Sequence, residues 1–164
     1  MFYSIHDFIE TWKIESESTL KVYFNLTDKS LLQPIYGEGR TLGRLANHLI
    51  GAITTIPSQA GLPVNPESPS YTTAAELITG YQQASKNLVD VIQKNWTDNS
   101  LLDEVKMYRR FQWKKGLVLL FLILHQTHHR GQITVLMRQA GLPVPGLYGP
   151  SKEEWEAMNM PVMP

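Results

Sequence analysis

The chain has 164 residues, a length that suits one domain with a single hydrophobic core. Its 15 basic and 15 acidic residues balance, so there is no overall positive field to attract a phosphate backbone, and we expect no nucleic-acid partner. The absence of cysteine excludes disulfides, thiolate metal ligands and a cysteine nucleophile, and it fits a reducing compartment.

The first predicted helix spans residues 4–26. Ser4 is a suitable N-cap, and apolar residues follow at steps of three and four, at Ile5, Phe8, Trp12, Val22 and Leu26. The same stripe passes over Glu15 and Thr19, which are polar. Either the buried face rotates past these two residues, or they act near a functional site as hydrogen-bond partners or proton acceptors.

A second helix is predicted from Thr41 to Ile56, with His48 pointing partly inward. A single histidine at such a position is usually a hydrogen-bonded core residue. Gly43 and Gly51 weaken this helix, which is easier to understand if neighbouring backbone approaches them closely.

Residues 57–71 contain four prolines and predict a long loop within the domain. The third helix begins with the capping box Thr73-Ala-Ala-Glu76 and ends near Trp96. Residues 97–111 lack a firm period and predict a loop with a short extended piece.

The fourth helix is predicted from Gln112 to Ala140, where Gly141 supplies a left-handed stop. A glycine within it, Gly131, is expected to let helix 2 or a partner chain approach closely. Ser151 opens a second capping box and a short terminal helix. The sequence therefore predicts an all-α fold: a four-helix bundle with a long crossover between helices 2 and 3 and a short C-terminal helix, in one domain over residues 1–164.

The N-terminal segment lacks the basic start and apolar run of a signal peptide. The longest apolar run, residues 116–124, is about half a membrane span. We therefore expect a cytoplasmic protein with no membrane partner.

The segment His125-Gln-Thr-His-His-Arg-Gly-Gln132 follows this apolar run. On a helix His125 and His129 lie about 40° apart around the axis, and His125 and His128 about 60° apart on the other side. Either pair can direct two nitrogens toward a metal ion, and a hydrogen-bonded cluster without a metal is the alternative.

In a bundle, His48 and the histidines of helix 4 lie at similar depth. Two histidines from one helix and one from another make a three-nitrogen metal site with open coordination positions. Neutral imidazoles leave a divalent ion its full charge, which favours the deprotonated form of a bound water, hydroxyl or thiol. Zinc is the first choice and nickel the second.

The chain resembles the DinB-like (damage-inducible) superfamily of four-helix metalloproteins. The resemblance rests on Thr41-Leu-Gly-Arg-Leu-Ala-Asn-His48, on the segment 125–132, and on the tail Gly146-Leu-Tyr-Gly-Pro-Ser-Lys-Glu-Glu-Trp155. It implies His48, His125 and His129 as metal ligands, with His128 outside the set. Gln132, seven positions after His125, can hydrogen-bond a ligand or a metal-bound water, or remain a surface amide. Arg130 and His128 can each orient a carboxylate, contact a subunit, or have a plain packed or solvent-exposed position.

Superfamily members of known activity are similar to thiol-dependent S-transferases and isomerases. The resemblance thus implies a transferase that joins a low-molecular-weight thiol, as cosubstrate, to an electrophilic small molecule, and a tendency to form homodimers. A metal-dependent hydrolase with Glu15 as proton acceptor is a second hypothesis. A non-enzymatic, metal-stabilised dimeric stress-response module is a third.

Overall fold

The computed structural model describes residues 1–161 and shows a mostly helical chain with one small antiparallel sheet. The long helices are α1 (Ile5–Tyr23), α2 (Leu42–Gln59), α3 (Ala74–Asn95) and α4 (Lys115–Gln139), and a short helix α5 (Lys152–Ala157) follows them. Strands β1 (Glu104–Met107) and β2 (Phe111–Lys114) precede α4. Residues 162–164 of the predicted domain lie outside the described residues.

Helix ends follow the predicted caps. Glu76 donates its backbone N–H to Thr73 Oγ1 at 3.2 Å, and Glu76 Oε2 accepts the backbone N–H of Thr73 at 3.0 Å, which completes the predicted capping box of α3. The same reciprocal pair forms at Ser151 and starts α5. Gly141 follows α4 with φ of +72°, as a left-handed stop requires.

Helix α2 is longer than predicted, because Pro57 lies inside its last turn. A proline this close to a helix end removes only one backbone hydrogen bond, and the adjoining Ile53 and Ile56 are buried in the core. The chain then leaves the helix in a tight turn, with the Ala60 N–H donating to the Pro57 carbonyl at 3.0 Å. The prediction that the prolines begin a loop at residue 57 is therefore wrong by one helical turn.

A β-hairpin precedes α4, so the prediction that this helix starts at Gln112 is also wrong. Gln112 pairs with Lys106, and Met107 pairs with Phe111. Met107 is fully buried and attaches the hairpin to the core. The strands are four residues each, too short for an alternating pattern to distinguish them from a helix start.

Each of α1 and α2 packs against both α3 and α4. The connection from α2 to α3 runs back along α2: the Glu67 N–H donates to Thr54 Oγ1 at 3.1 Å, and further on the Tyr71 N–H donates to Asn47 Oδ1 at 2.8 Å. A Cβ added at Gly51 would lie 2.9 Å from the Glu67 carbonyl oxygen. The close backbone approach predicted for this glycine is thus confirmed, and α3 begins beside the first half of α2.

The structure also bears on Gly131 and on membrane insertion. Among residues 1–161, no atom outside the adjoining backbone of α4 lies within 4 Å of a Cβ added at Gly131, so the predicted close approach of helix 2 is wrong. The approach of a partner chain stays a prediction. None of the helices in residues 1–161 combines the length and the apolar character needed to cross a bilayer.

Candidate metal centre

Helices α2 and α4 bring the three predicted histidines together. One potential ligand nitrogen each from His48, His125 and His129 lies within 4.8 Å of the other two. His48 Nε2 and His125 Nε2 are 3.0 Å apart. This separation is close to the spacing of two nitrogens bound to one ion at zinc–nitrogen distances of about 2.0–2.1 Å. The donor set can therefore hold a divalent ion.

The three histidines differ in burial. His129 is buried, His125 is half-buried and His48 is exposed. His48 is therefore not the core residue that its helical position suggested. The cluster is closed on the side of α4 and open toward solvent on the side of α2, as a site for an exchangeable ligand requires.

All three imidazoles are held in the neutral form that metal binding requires. Burial, and then the neighbouring His129 and His48, lowers the pKa of His125 to about 4. Burial also lowers the pKa of His48, followed by the charges of His129, Arg40 and Arg44. The pKa of His129 is lowered by burial despite a hydrogen bond with Gln132 that acts to raise it. Neutral nitrogens with free lone pairs result.

Gln132 contacts the cluster directly. Its Oε1 lies 2.7 Å from His129 Nδ1, and its Nε2 lies 3.2 Å from the ring Nε2 of His128. An amide oxygen accepts, so Nδ1 of His129 carries the proton and Nε2 presents the lone pair. Gln132 thus hydrogen-bonds a histidine of the cluster, and His128 lies outside the three-nitrogen cluster.

Gln126, which the sequence reasoning missed, hydrogen-bonds α4 to α2 and α3 beside His125. Its side chain is fully buried. Its Nε2 donates to the Leu49 carbonyl at 2.8 Å, and its Oε1 accepts the Tyr81 hydroxyl at 3.3 Å. Leu49 follows His48 in α2, so this contact fixes the two helices at the level where their histidines meet. An amide just after the apolar run of residues 116–124 was the available signal.

Glu15 and Thr19 are buried, so the apolar face of α1 does not rotate past them. Both contact Arg130, the residue after His129. Arg130 Nη2 is 2.6 Å from Glu15 Oε2, and Arg130 Nη1 donates to Thr19 Oγ1 at 3.1 Å. Arg130 therefore orients a carboxylate, which is one of its three predicted roles. The explanation of Glu15 by a drifting stripe is wrong.

A tyrosine from the C-terminal segment completes this buried ion pair. Tyr148 donates its hydroxyl to Glu15 Oε2 at 2.7 Å and also contacts Arg130 Nη2. Thr127 Oγ1 lies 3.3 Å from the same carboxylate oxygen. Glu15 Oε2 thus lies within hydrogen-bond distance of the Arg130 guanidinium and of two hydroxyl groups. Tyr148 lies in a segment without regular secondary structure, so periodicity gave no signal for its role, although the segment belongs to the tail on which the family resemblance rests.

A cavity of about 540 Å³ opens beside the histidines. Its walls come from α2, the loop before α3, the hairpin and α4, and are lined by Arg44, Asn47, His48, Gly51, Ala52, Thr55, Ile56, Glu67, Ser68, Pro69, Tyr108 and His125. Tyr108 has φ of +50°, an unfavourable backbone conformation for this residue. Its N–H donates to Gln59 Oε1 at 3.0 Å, which ties the hairpin to the end of α2.

A helical protein in which three neutral histidines meet beside an open cavity belongs to the class of candidate metalloproteins. The family model of the DinB family matches residues 1–161, so the chain belongs to the DinB family. It is 44% identical over 163 residues to the uncharacterized protein YrdA of Bacillus subtilis (strain 168), covering 98% of this chain and 97% of that one.

Solved structures agree with this assignment. A DinB-like protein from Bacillus cereus ATCC 10987 matches with a TM-score of 0.85 and 42% identity, over 90% of this chain and 100% of the other. The DinB-like protein YjoA from Bacillus subtilis matches with a TM-score of 0.69 over 87% of this chain and 99% of the other. Its identity is 12%, so this second likeness concerns the fold alone.

Proposed function

We propose that the protein is a divalent-metal-dependent transferase that joins a low-molecular-weight thiol to an electrophilic small molecule. The observation that carries the proposal is the convergence of three neutral imidazoles, within 4.8 Å, at the edge of an open cavity. A divalent ion bound there would keep its full charge and stabilise the thiolate form of a thiol. Zinc is our first choice and nickel our second.

The residues of the candidate site would have different roles. His48, His125 and His129 would hold the ion, and Gln132 fixes the ring of His129 through Nδ1. The cavity provides room for a small molecule on the exposed side of His48. Because the chain contains no cysteine, the sulfur nucleophile must come from outside the protein.

Metal analysis tests the ligand set. We expect about one divalent ion per chain in the purified protein, since three imidazoles and an open position make one site. His129→Ala should lose the ion, whereas the matched variant His128→Ala should retain it. Undiminished metal content in His129→Ala would refute the proposed ligands.

A turnover assay tests the reaction. The metal-loaded protein is incubated with cysteine, glutathione or another small thiol and 1-chloro-2,4-dinitrobenzene, and thioether formation is followed by absorbance. We expect turnover that depends on metal and disappears in His129→Ala. Metal binding without thioether formation for any thiol would count against the transferase.

The hydrolase hypothesis is weakened by the position of its proton acceptor. Glu15 is paired with Arg130 and accepts two further hydroxyl contacts. The acidic residue that lines the cavity is Glu67. A hydrolase would therefore have to use Glu67, and we rank it below the transferase.

We further propose that the chain forms one four-helix-bundle domain that works as a homodimer in the cytoplasm. Packing of α1 and α2 against both α3 and α4, and a family match over residues 1–161, support the single bundle. Exposed apolar side chains such as Ile14 and Phe24 support self-association, which size-exclusion chromatography with light scattering tests. A stress-response module would instead show metal-dependent melting and no turnover.

A further inference from the structure

Arg44 lies beside the candidate metal centre. It is one helical turn before His48 on α2 and lines the same cavity as His48 and His125. Its guanidinium group is therefore close enough to act on a ligand at the histidines.

The guanidinium of Arg44 has no carboxylate partner within residues 1–161. Arg130 pairs with Glu15 and Arg138 pairs with Glu153, whereas Arg40, Arg109 and Arg110 resemble Arg44 in having no carboxylate within ion-pair distance in this part of the chain. Arg44 is exposed toward the cavity, so its donors are free to bind a ligand.

Asn47, a neighbouring polar residue of the cavity, is already used by the fold. Asn47 Nδ2 donates to the carbonyls of Gly43 and Tyr71, each at 2.9 Å, and its Oδ1 accepts the Tyr71 N–H. The amide of Asn47 thus holds the loop on α2. The Arg44 guanidinium is a strong hydrogen-bond donor that has no protein acceptor among residues 1–161.

A divalent ion at the histidines would make the local charge positive although the whole chain is neutral. The cavity lining contains one acidic residue, Glu67, whose backbone N–H attaches the loop to α2. Three neutral imidazoles do not offset the charge of a divalent ion. The ion and Arg44 would together outweigh one carboxylate, and such an excess favours an anionic ligand.

We propose that the cavity binds small molecules that carry a carboxylate, and that Arg44 is the residue that pairs with it. The inference rests on the proposed function, because the ligand would be held at two points: its carboxylate by Arg44 and its sulfur by the metal ion. Residues four apart on a helix have Cβ atoms about 5–6 Å apart. A ligand can therefore span both points when its sulfur and carboxylate are separated by a few bonds. The planar guanidinium suits a bidentate carboxylate contact.

Titration calorimetry of the metal-loaded, full-length protein tests the inference. The probes are 3-mercaptopropionate and 3-mercaptopropanol, which differ in the carboxylate. A charge-assisted hydrogen bond contributes about 1.5–3 kcal/mol, so the wild type should bind the carboxylate about 10- to 100-fold more tightly. Arg44→Gln should lose this preference and keep its affinity for the neutral thiol. The control Lys86→Gln, on the exposed surface of α3, should behave as wild type.

Equal affinity of the wild type for the two thiols would overturn the inference, and so would an undiminished preference in Arg44→Gln. The second result would mean that the carboxylate binds the ion directly. Metal content and circular dichroism of Arg44→Gln should match the wild type, because Arg44 is exposed.

Cobalt substitution separates this inference from the proposed function. Sulfur bound to cobalt gives a charge-transfer absorption band, and its absence with both thiols would refute the thiol reaction. The carboxylate site is then decided with succinate, which has no sulfur. Binding of succinate by the wild type and Lys86→Gln but not by Arg44→Gln supports the site. No binding by the wild type, or equal binding by Arg44→Gln, overturns it.

Discussion

Replacing Glu15 by glutamine should destabilise the protein strongly, because it leaves the guanidinium of Arg130 buried without a countercharge. The Arg130 and Glu15 side chains are 1% and 9% exposed, and their closest atoms are 2.6 Å apart. Removing one member of a buried ion pair costs about 3–5 kcal/mol. For a chain of this length, that corresponds to a fall in melting temperature of about 6–20 °C.

Urea unfolding at neutral pH measures this effect. The matched control is Glu153→Gln, because the surface pair of Arg138 and Glu153 has side chains 42% and 38% exposed. Such a pair contributes at most about 1 kcal/mol, so the control should lose little. The double variant Glu15→Gln/Arg130→Met should recover much of the stability, since it removes the unpaired charge. Equal losses for Glu15→Gln and Glu153→Gln would refute the reasoning.

Three further predictions concern pH, caps and glycines. Burial holds the pKa of His125 near 4, below its unfolded value of about 6.5. The free energy of unfolding of the metal-free protein should therefore fall as the pH is lowered from 6.5 to 4, because the unfolded chain binds a proton that the folded chain does not. Urea midpoints across this range should decline less in His125→Gln. Thr73→Ala removes the N-cap of α3 and should lower the free energy of unfolding, measured by thermal unfolding, by about 1 kcal/mol. Thr79→Ala, on the exposed face of the same helix, should lower it less, and equal losses would contradict the role of the cap. Gly51→Ala should destabilise the protein, because the added Cβ would lie 2.9 Å from a backbone carbonyl oxygen of the following loop. Gly131→Ala, where the added Cβ meets open space, should stabilise it by about 0.5–1 kcal/mol. The opposite order of urea midpoints would show that the loop moves freely.

The four long helices were predictable because their signals are local. Apolar steps of three and four residues, with caps at Ser4, Thr41 and Thr73, located α1, α2 and α3 to within a few residues. The errors fell at Pro57 and at residues 112–114, where burial of Ile56 and pairing with β1 outweighed local preference. Neither effect can be calculated from a short window of sequence.

The histidine site was predictable in part. Helical spacing left two pairs open in the segment 125–132, and the family resemblance selected His125 and His129. The structure places their nitrogens beside His48, with His128 turned toward Gln132. Which imidazole faces α2 depends on the rotation of α4 about its axis, and Gln126 fixes that rotation through its contact with α2.

The sequence by itself determined the helical class, the helix caps and the absence of any internal thiol, because each follows from local periodicity or from composition. The choice of His48, His125 and His129 came from the family resemblance. The tertiary structure decided that Glu15 pairs with Arg130 and accepts a hydrogen bond from Tyr148. It also placed Arg44, Glu67 and Tyr108 around the cavity that His48 and His125 line. These groups are distant along the chain. Their meeting depends on the crossover loop and the hairpin, which are held by hydrogen bonds such as Tyr71 to Asn47 rather than by any periodic pattern.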